Sequence, residues 1–108
     1  MPAGYLSYSA TAILQAVANG YQYGFDVMDV TGLPSGTVYP ALRRLEDGDL
    51  VASKWEKHEV AQHESRPPRK YYTLTKEGEQ ALAEAAKRYR LLEPPRRARL
   101  GRPIRERG

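Results

Sequence analysis

The sequence predicts a mainly α-helical domain with a small β wing, and three observations support this fold class. Apolar residues recur at helical spacing in three segments before residue 50. Two short segments rich in β-forming residues follow, with the polar stretch 57–68 between them. The last segment, residues 76–92, has one apolar face and one charged face. Together these segments predict a winged helix-turn-helix followed by a C-terminal helix.

The first two helices are predicted from apolar stripes that end at stop signals. Residues 9–19 form the first helix, and Ser9 is its predicted N-cap because a serine hydroxyl can accept from unpaired backbone N–H groups. A second helix covers residues 23–30, with Phe25 and either Val27 or Met28 predicted to pack inward. The turn 31–34 separates it from the next helix, since its glycine permits positive φ and its proline cannot continue a helix.

Residues 35–50, with the sequence SGTVYPALRRLEDGDL, predict the helix around which the domain is organised. Pro40 is tolerable only in a first turn, where its missing N–H has no partner anyway, so the helix is predicted to start near Ser35 or Gly36, with Ser35 as its N-cap. Gly48 supplies the predicted stop. The predicted buried face carries three residues at spacings of four and three, namely Val38, Leu42 and Leu45.

The exposed side of this helix is a candidate DNA-reading surface. Its leading half carries Ser35, Thr37 and Tyr39, and Arg43 and Arg44 follow. Small hydroxyls, an aromatic ring and arginines suit a helix that enters a major groove. Two plainer roles remain open: Thr37 assists capping, and Tyr39 packs on the wing. The two arginines diverge by about 100°, so one is expected to face DNA and the other to pair with an acidic residue between 46 and 49.

The wing is predicted from two strands, residues 50–57 and 69–74, joined by the loop 57–68. Its candidate phosphate contacts are Arg66, Arg69 and Lys70. The alternative is a solvated loop whose positive charges offset nearby glutamates. Trp55 is predicted to be a packing anchor between the wing and the helices.

The chain is predicted to divide into a winged helix-turn-helix (1–75), a dimerisation helix (76–93) and a basic arginine-rich tail (94–108). Thr75 is the predicted cap of the dimerisation helix. An apolar helix face on so small a domain usually seeks a partner surface. The residues predicted to form the seam of a homodimer are Leu82, Ala85, Tyr89 and Leu92.

The formal net charge of +4 belongs to the tail alone. Residues 93–108 hold six arginines and two glutamates, whereas residues 1–92 hold eleven basic and eleven acidic residues. The high isoelectric point is therefore no sign that the folded domain is basic. An argument for nucleic-acid binding has to rest on local clusters of positive charge.

Composition and motif content argue against several function classes. Without cysteine the chain has no disulfide or thiolate metal site, which suits a reducing compartment. We expect a cytoplasmic protein, since the sequence shows neither an apolar run of membrane-spanning length nor a signal-peptide pattern. Catalytic and nucleotide-binding motifs are missing, so no enzyme is predicted. His58 and His63 do not have metal-ligand spacing on a helix, and no metal or other cofactor is predicted.

Five short pieces of the sequence resemble the PadR family of bacterial transcription regulators. The pieces are Tyr23-Gly24-Phe25, the run GTVYPALRRLE, Gly48-Asp49-Leu50, Trp55, and RKYYTLT with Gly78. They occur in the family's order and cover roughly residues 10–80. The resemblance implies a winged helix-turn-helix, a homodimer formed largely through the C-terminal helix, and repression that an effector relieves. A single C-terminal helix with a basic tail resembles the family's smaller subclass.

The sequence supports two hypotheses of different classes. In the first, the chain is a homodimeric repressor that binds double-stranded DNA at a palindrome. The resemblance further implies a small-molecule effector that releases the DNA by altering the dimer angle. In the second, the winged helix is a protein–protein adaptor whose basic tail binds an acidic partner, which the zero net charge of residues 1–92 favours. Salt-dependent binding to a palindromic fragment distinguishes the two.

Overall fold

A computed structural model of the chain describes residues 6–89. In chain order the elements are α1 (Tyr8–Ala18), α2 (Gly24–Thr31), α3 (Ser35–Asp47), β1 (Val51–Trp55), α4 (His58–His63), β2 (Lys70–Leu74) and α5 (Lys76–Arg88). The predicted fold class, mainly helical with a two-stranded wing, is confirmed. The predicted tail 94–108 and the seam residue Leu92 lie outside the described residues.

The core is formed by side chains of α1, α2 and α3, and the wing strands cover one side of it. Its most deeply buried large residues include Ile13, Leu14, Val17, Val27, Val38, Leu42, Leu45, Val51 and Tyr72. The predicted stripe of α3 is confirmed, since all three of its members are at most 4% exposed. Burial of this face fixes α3 to the body of the domain and leaves its opposite face exposed.

The wing is an antiparallel strand pair that is tied to the start of α2. Its register runs from Val51↔Leu74 to Trp55↔Lys70, which confirms both predicted strands. The Tyr72 N–H donates to the Gln22 carbonyl oxygen at 2.9 Å. This hydrogen bond holds the wing beside the residues that precede α2, so the wing and the helix-turn-helix share one surface.

The predicted N-terminus of α3 is corrected by the structure. Its N-cap is Pro34, whose backbone is extended at φ −76° and ψ 163° and whose side chain makes no capping hydrogen bond, and Ser35 is the first helical residue. Pro40 is the sixth residue of the helix, so it lies in the second turn rather than the first. Its missing N–H leaves the Gly36 carbonyl without the usual partner four residues on, which the helix tolerates.

The other two predicted caps have different outcomes. Helix α1 is capped by Ser7 and not by Ser9, because Ser7 is the residue with extended backbone and its hydroxyl accepts from the Ala10 N–H at 3.0 Å. The predicted cap of α5 is confirmed: the Thr75 hydroxyl accepts from the Gly78 N–H at 2.9 Å.

Three further predictions are wrong. The stretch 57–68 contains the short helix α4, whose Ala61 is buried, and is not simply a loop. Phe25 is 70% exposed, because α2 turns Val27 inward and residues two apart do not share a helix face. Trp55 is 65% exposed at the end of β1 and is therefore not a packing anchor.

Candidate nucleic-acid interface

A groove of about 460 Å³ separates α3 from the wing, and we call it the wing–helix groove. Its walls come from the exposed side of α3, the two wing strands and the residues around the start of α2. The lining residues are Tyr23, Gly24, Phe25, Tyr39, Arg43, Glu46, Trp55, Arg69, Lys70 and Tyr72. Five aromatic rings, three cations and one carboxylate thus face the same space, which suits a polyanion with apolar faces.

On the α3 side, the groove is lined by Tyr39 and Arg43, and both are exposed. The Tyr39 ring lies against Gly24, where a Cβ would overlap it, so the ring packs on the start of α2. It nevertheless keeps 42% of its surface exposed. Ser35 and Thr37 lie in the first turn of α3, beyond the groove lining, with Ser35 exposed and Thr37 half-buried.

On the wing side, two cations line the groove, and each lies near an aromatic ring. The Arg69 guanidinium carbon is 5.2 Å from the centre of the Tyr23 ring. The Lys70 ammonium nitrogen is 5.9 Å from the ring centres of both Trp55 and Tyr72. A cation–π contact holds a cation in place without neutralising its charge, so Arg69 presents positive charge to the groove.

Glu46 is the carboxylate among the lining residues, and it ties α3 to the wing. The Ser53 hydroxyl donates to its Oε2 at 2.5 Å, and Lys70 Nζ lies 3.5 Å from its Oε1. The Ser53 hydrogen bond is the largest influence on the pKa of Glu46, which lies below its ordinary value, and Lys70 adds to the lowering. The cation beside Glu46 is therefore Lys70 and not one of the expected arginines, Arg43 or Arg44.

Arg66 is engaged inside the wing in an ion pair, whereas a contact with phosphate was predicted from the sequence. One terminal nitrogen donates to Glu56 Oε1 at 2.6 Å and the other to Oε2 at 2.9 Å. Hydrogen bonding from Arg66 is the main reason why the pKa of Glu56 falls from 4.5 to about 2. Because this pKa is lowered on folding, the pair's contribution to stability is present above about pH 4.5 and is lost as the pH falls toward 2.

The described residues hold no site that resembles a metal centre. Within residues 6–89, no group of three or more His, Cys, Asp or Glu side chains could hold a metal ion. His58 and His63 are the first and last residues of α4. In this same part of the chain, no helix has the length and apolar character needed to cross a membrane.

Residues 13–84 match the sequence profile of the Transcriptional regulator PadR-like family. The chain belongs to this family. The match runs from α1 into α5 and therefore includes the whole wing–helix groove. As a PadR-like protein, the chain is a transcription regulator and not an enzyme.

Solved structures of other PadR-like proteins have the same fold. A PadR-like transcription factor from Bacteroides fragilis is 30% identical, with a TM-score of 0.64 over 77% of this chain and 81% of its own. A PadR family regulator from Clostridium difficile R20291 is 26% identical, with a TM-score of 0.67 over 88% of this chain and 100% of its own. Another, from Eggerthella lenta, is 28% identical, with a TM-score of 0.57 over 78% and 77%. No curated protein sequence matches the chain.

The predicted dimer seam of this PadR-like chain is only partly available on α5. Ala85 has no exposed surface within the chain, so it packs inside the protomer and its predicted place in the seam is corrected. The Tyr89 hydroxyl donates to the Leu6 carbonyl oxygen at 3.0 Å, and its ring packs edge-on against Tyr8. Leu82 is half-buried against the core and also lines a shallow groove between α1 and α5.

Proposed function

We propose that this PadR-like regulator is a homodimeric repressor that binds a palindromic DNA operator through α3 and the wing. The observation that supports the proposal is the convergence of Tyr39 and Arg43 of α3 with Arg69 and Lys70 of the wing on one groove. A winged helix needs its helix in the major groove and its wing on the neighbouring backbone. Both sets of side chains must therefore face the same side of the domain, as they do here.

The proposed DNA-binding residues divide into two groups. Ser35, Thr37 and Tyr39 lie in the leading half of α3, where hydroxyls and an aromatic ring can contact base edges or phosphates. Arg43 lies one turn further on, and the wing cations lie across the groove, where positive charge attracts the backbone without reading sequence. We leave Arg66 out of both groups, because its guanidinium is occupied inside the wing.

In the proposed homodimer, the distance between the two copies of α3 determines the spacing of the operator half-sites. Two copies of α3 related by a two-fold axis would read half-sites one helical turn of DNA, or a multiple of it, apart. A small-molecule effector that favours a different angle between the protomers would misalign the two helices and release the operator. Because the proposed partner is double-stranded DNA, we propose that the protein acts in the cytoplasm.

Replacing Arg43 by glutamine is expected to weaken operator binding roughly tenfold. The dimer would lose the same phosphate contact twice, so the slope of log affinity against log salt concentration should fall by roughly two. Fluorescence polarisation on a fragment selected from random DNA measures both quantities when it is repeated from about 50 to about 200 mM salt.

Arg44→Gln is the matched control for this experiment. Arg44 is the exposed neighbour of Arg43, does not line the groove and points about 100° away from it. Its loss should change operator affinity by less than about twofold. Equal losses in the two variants would show that the groove face is not the DNA surface.

If deletion of residues 94–108 abolished all binding while Arg43→Gln had no effect, the adaptor hypothesis would replace the repressor.

Replacing Leu82 by aspartate tests whether α5 forms the dimer seam. We expect monomers in size-exclusion chromatography with light scattering, because a carboxylate would be desolvated in an apolar interface. Gln80→Asp places the same side chain at an exposed position of α5 and should leave the dimer intact. Circular dichroism of both variants separates dissociation from unfolding. A Leu82→Asp protein that stayed dimeric would place the seam elsewhere.

A further inference from the structure

Glu56 and Arg66 close the wing with a fork of two charge-assisted hydrogen bonds, and we call this pair the wing clamp. The Glu56 carboxylate also accepts from the Arg69 backbone N–H at 3.2 Å, and the Glu56 N–H donates to the Arg69 carbonyl at 2.7 Å. The Glu56 and Arg66 side chains are only 9% and 24% exposed. A fork that is shielded from water in this way is stronger than an open surface ion pair, and removing one partner leaves an uncompensated charge.

The clamp lies between the α4 segment and a cation of the wing–helix groove. The Arg66 N–H donates to the Ala61 carbonyl at 3.1 Å, and Ala61 is 1% exposed, so the clamp is anchored to α4. On its other side, Arg69 is hydrogen-bonded to Glu56 through both its N–H and its carbonyl oxygen. The clamp therefore fixes the backbone from which the Arg69 guanidinium reaches the Tyr23 ring.

We propose that Glu56 and Arg66 are positioning residues for DNA binding, and that Arg66 acts by holding Arg69 beside the groove rather than by touching phosphate. This inference rests on the proposed function. It gives a favourable role to Glu56, although a carboxylate close to a DNA surface is unfavourable on electrostatic grounds alone. The two possible roles of Arg66 therefore predict opposite effects of losing the Glu56 charge.

Glu56→Gln decides between these roles because it removes one negative charge and preserves the shape of the side chain. If Arg66 contacted phosphate, losing its carboxylate partner would free it and DNA binding would strengthen. If the clamp positions Arg69, DNA binding weakens, and we expect a loss of roughly five- to tenfold in affinity at fixed salt. Fluorescence polarisation with the operator fragment used for Arg43→Gln gives this value.

Two further variants make the comparison specific. Glu59→Gln makes the same change of charge at an exposed residue of α4 outside the clamp, and affinity should stay within about twofold of wild type. Arg66→Lys keeps the positive charge but cannot form the fork. It should weaken binding as much as Glu56→Gln does, whereas a phosphate contact would be largely preserved by lysine. The double variant should be no weaker than either single one, because both remove one interaction.

Hydrogen exchange without DNA gives a second readout of the clamp. We expect amides of residues 57–68 to exchange faster in Glu56→Gln and Arg66→Lys than in wild type and Glu59→Gln, since local opening becomes easier. Thermal unfolding followed by circular dichroism checks that the rest of the domain keeps its stability.

Faster exchange together with weaker DNA binding supports the positioning role. Unchanged exchange, or unchanged or tighter DNA binding by Glu56→Gln, would overturn it. A wild-type protein that bound no DNA would overturn the proposed function and this inference together. Failure of the inference alone would leave wild-type binding intact, so the two failures are distinguishable.

Discussion

Replacing Gly78 by alanine should cost on the order of 3 kcal/mol in the free energy of unfolding. A Cβ at Gly78 would overlap the Leu50 carbonyl oxygen and lie 2.9 Å from its carbon and 3.3 Å from Cγ of Leu74. The same carbonyl is held by the Thr75 N–H at 3.1 Å, so relief requires a shift of α5 or of the chain leading into β1. The melting temperature should fall by roughly 15 °C in a domain of this size.

Gly36→Ala is the matched control, because Gly36 also lies in the first turn of a helix but has no atom within 4 Å of its Cβ position. We expect its stability to be unchanged or raised by up to about 1 kcal/mol. Thermal unfolding of both variants, followed by circular dichroism, gives the comparison. A Gly78→Ala protein that melted within a few degrees of wild type would show that α5 does not approach Leu50 so closely.

Replacing Leu42 by alanine should destabilise the domain by roughly 2 to 5 kcal/mol. Leu42 has no exposed surface, and it packs in the core from the buried face of α3. The truncation removes apolar contacts and leaves a cavity directly beneath the proposed DNA-reading helix. Unfolding in urea measures the loss, which is a large part of the 5 to 15 kcal/mol typical of a whole domain.

Arg44→Ala on the exposed face of the same helix serves as the reference for this truncation and should change stability by less than about 0.5 kcal/mol. A loss near zero for Leu42→Ala would mean that α3 presents a different face to the core. The pair of variants therefore tests the orientation of α3, on which the exposure of Tyr39 and Arg43 depends.

The features predicted correctly from sequence were those that a local pattern specifies. The stripe of α3 follows from helical periodicity, and the Thr75 cap from a hydroxyl placed three residues before a backbone N–H that needs a partner. The same kind of reasoning failed at Ser9, because Ser7 also fits the pattern and only the backbone conformation selects between the two. The prediction for Phe25 failed because Phe25 shares a helix face with Met28, three residues on, and only the structure shows that α2 turns Val27 into the core instead.

The features that sequence reasoning missed depend on the path of the chain between distant residues. Arg66 was predicted to bind phosphate because wing arginines commonly reach the DNA backbone, and its pairing with Glu56, ten residues earlier, was not foreseen. Glu56 and Arg66 can pair because the chain between them turns back through α4. The polar residues 57–68 did not indicate a helix in this segment. Ala85 was assigned to a dimer seam because periodicity places it on the apolar face of α5, but periodicity cannot show that this residue is buried within its own protomer.

The contact between Gly24 and Tyr39 also limits how the protein can be redesigned for another operator. Since a methyl group on Gly24 would overlap the end of the Tyr39 ring, a larger residue at position 24 must either turn that ring aside or be combined with a smaller residue at position 39. Exchanging Tyr39 for a short side chain would in turn make space for alanine or serine at position 24. A combinatorial library should therefore randomise positions 24 and 39 together. A library that varies α3 alone contains only those residues at position 39 that fit beside glycine at position 24.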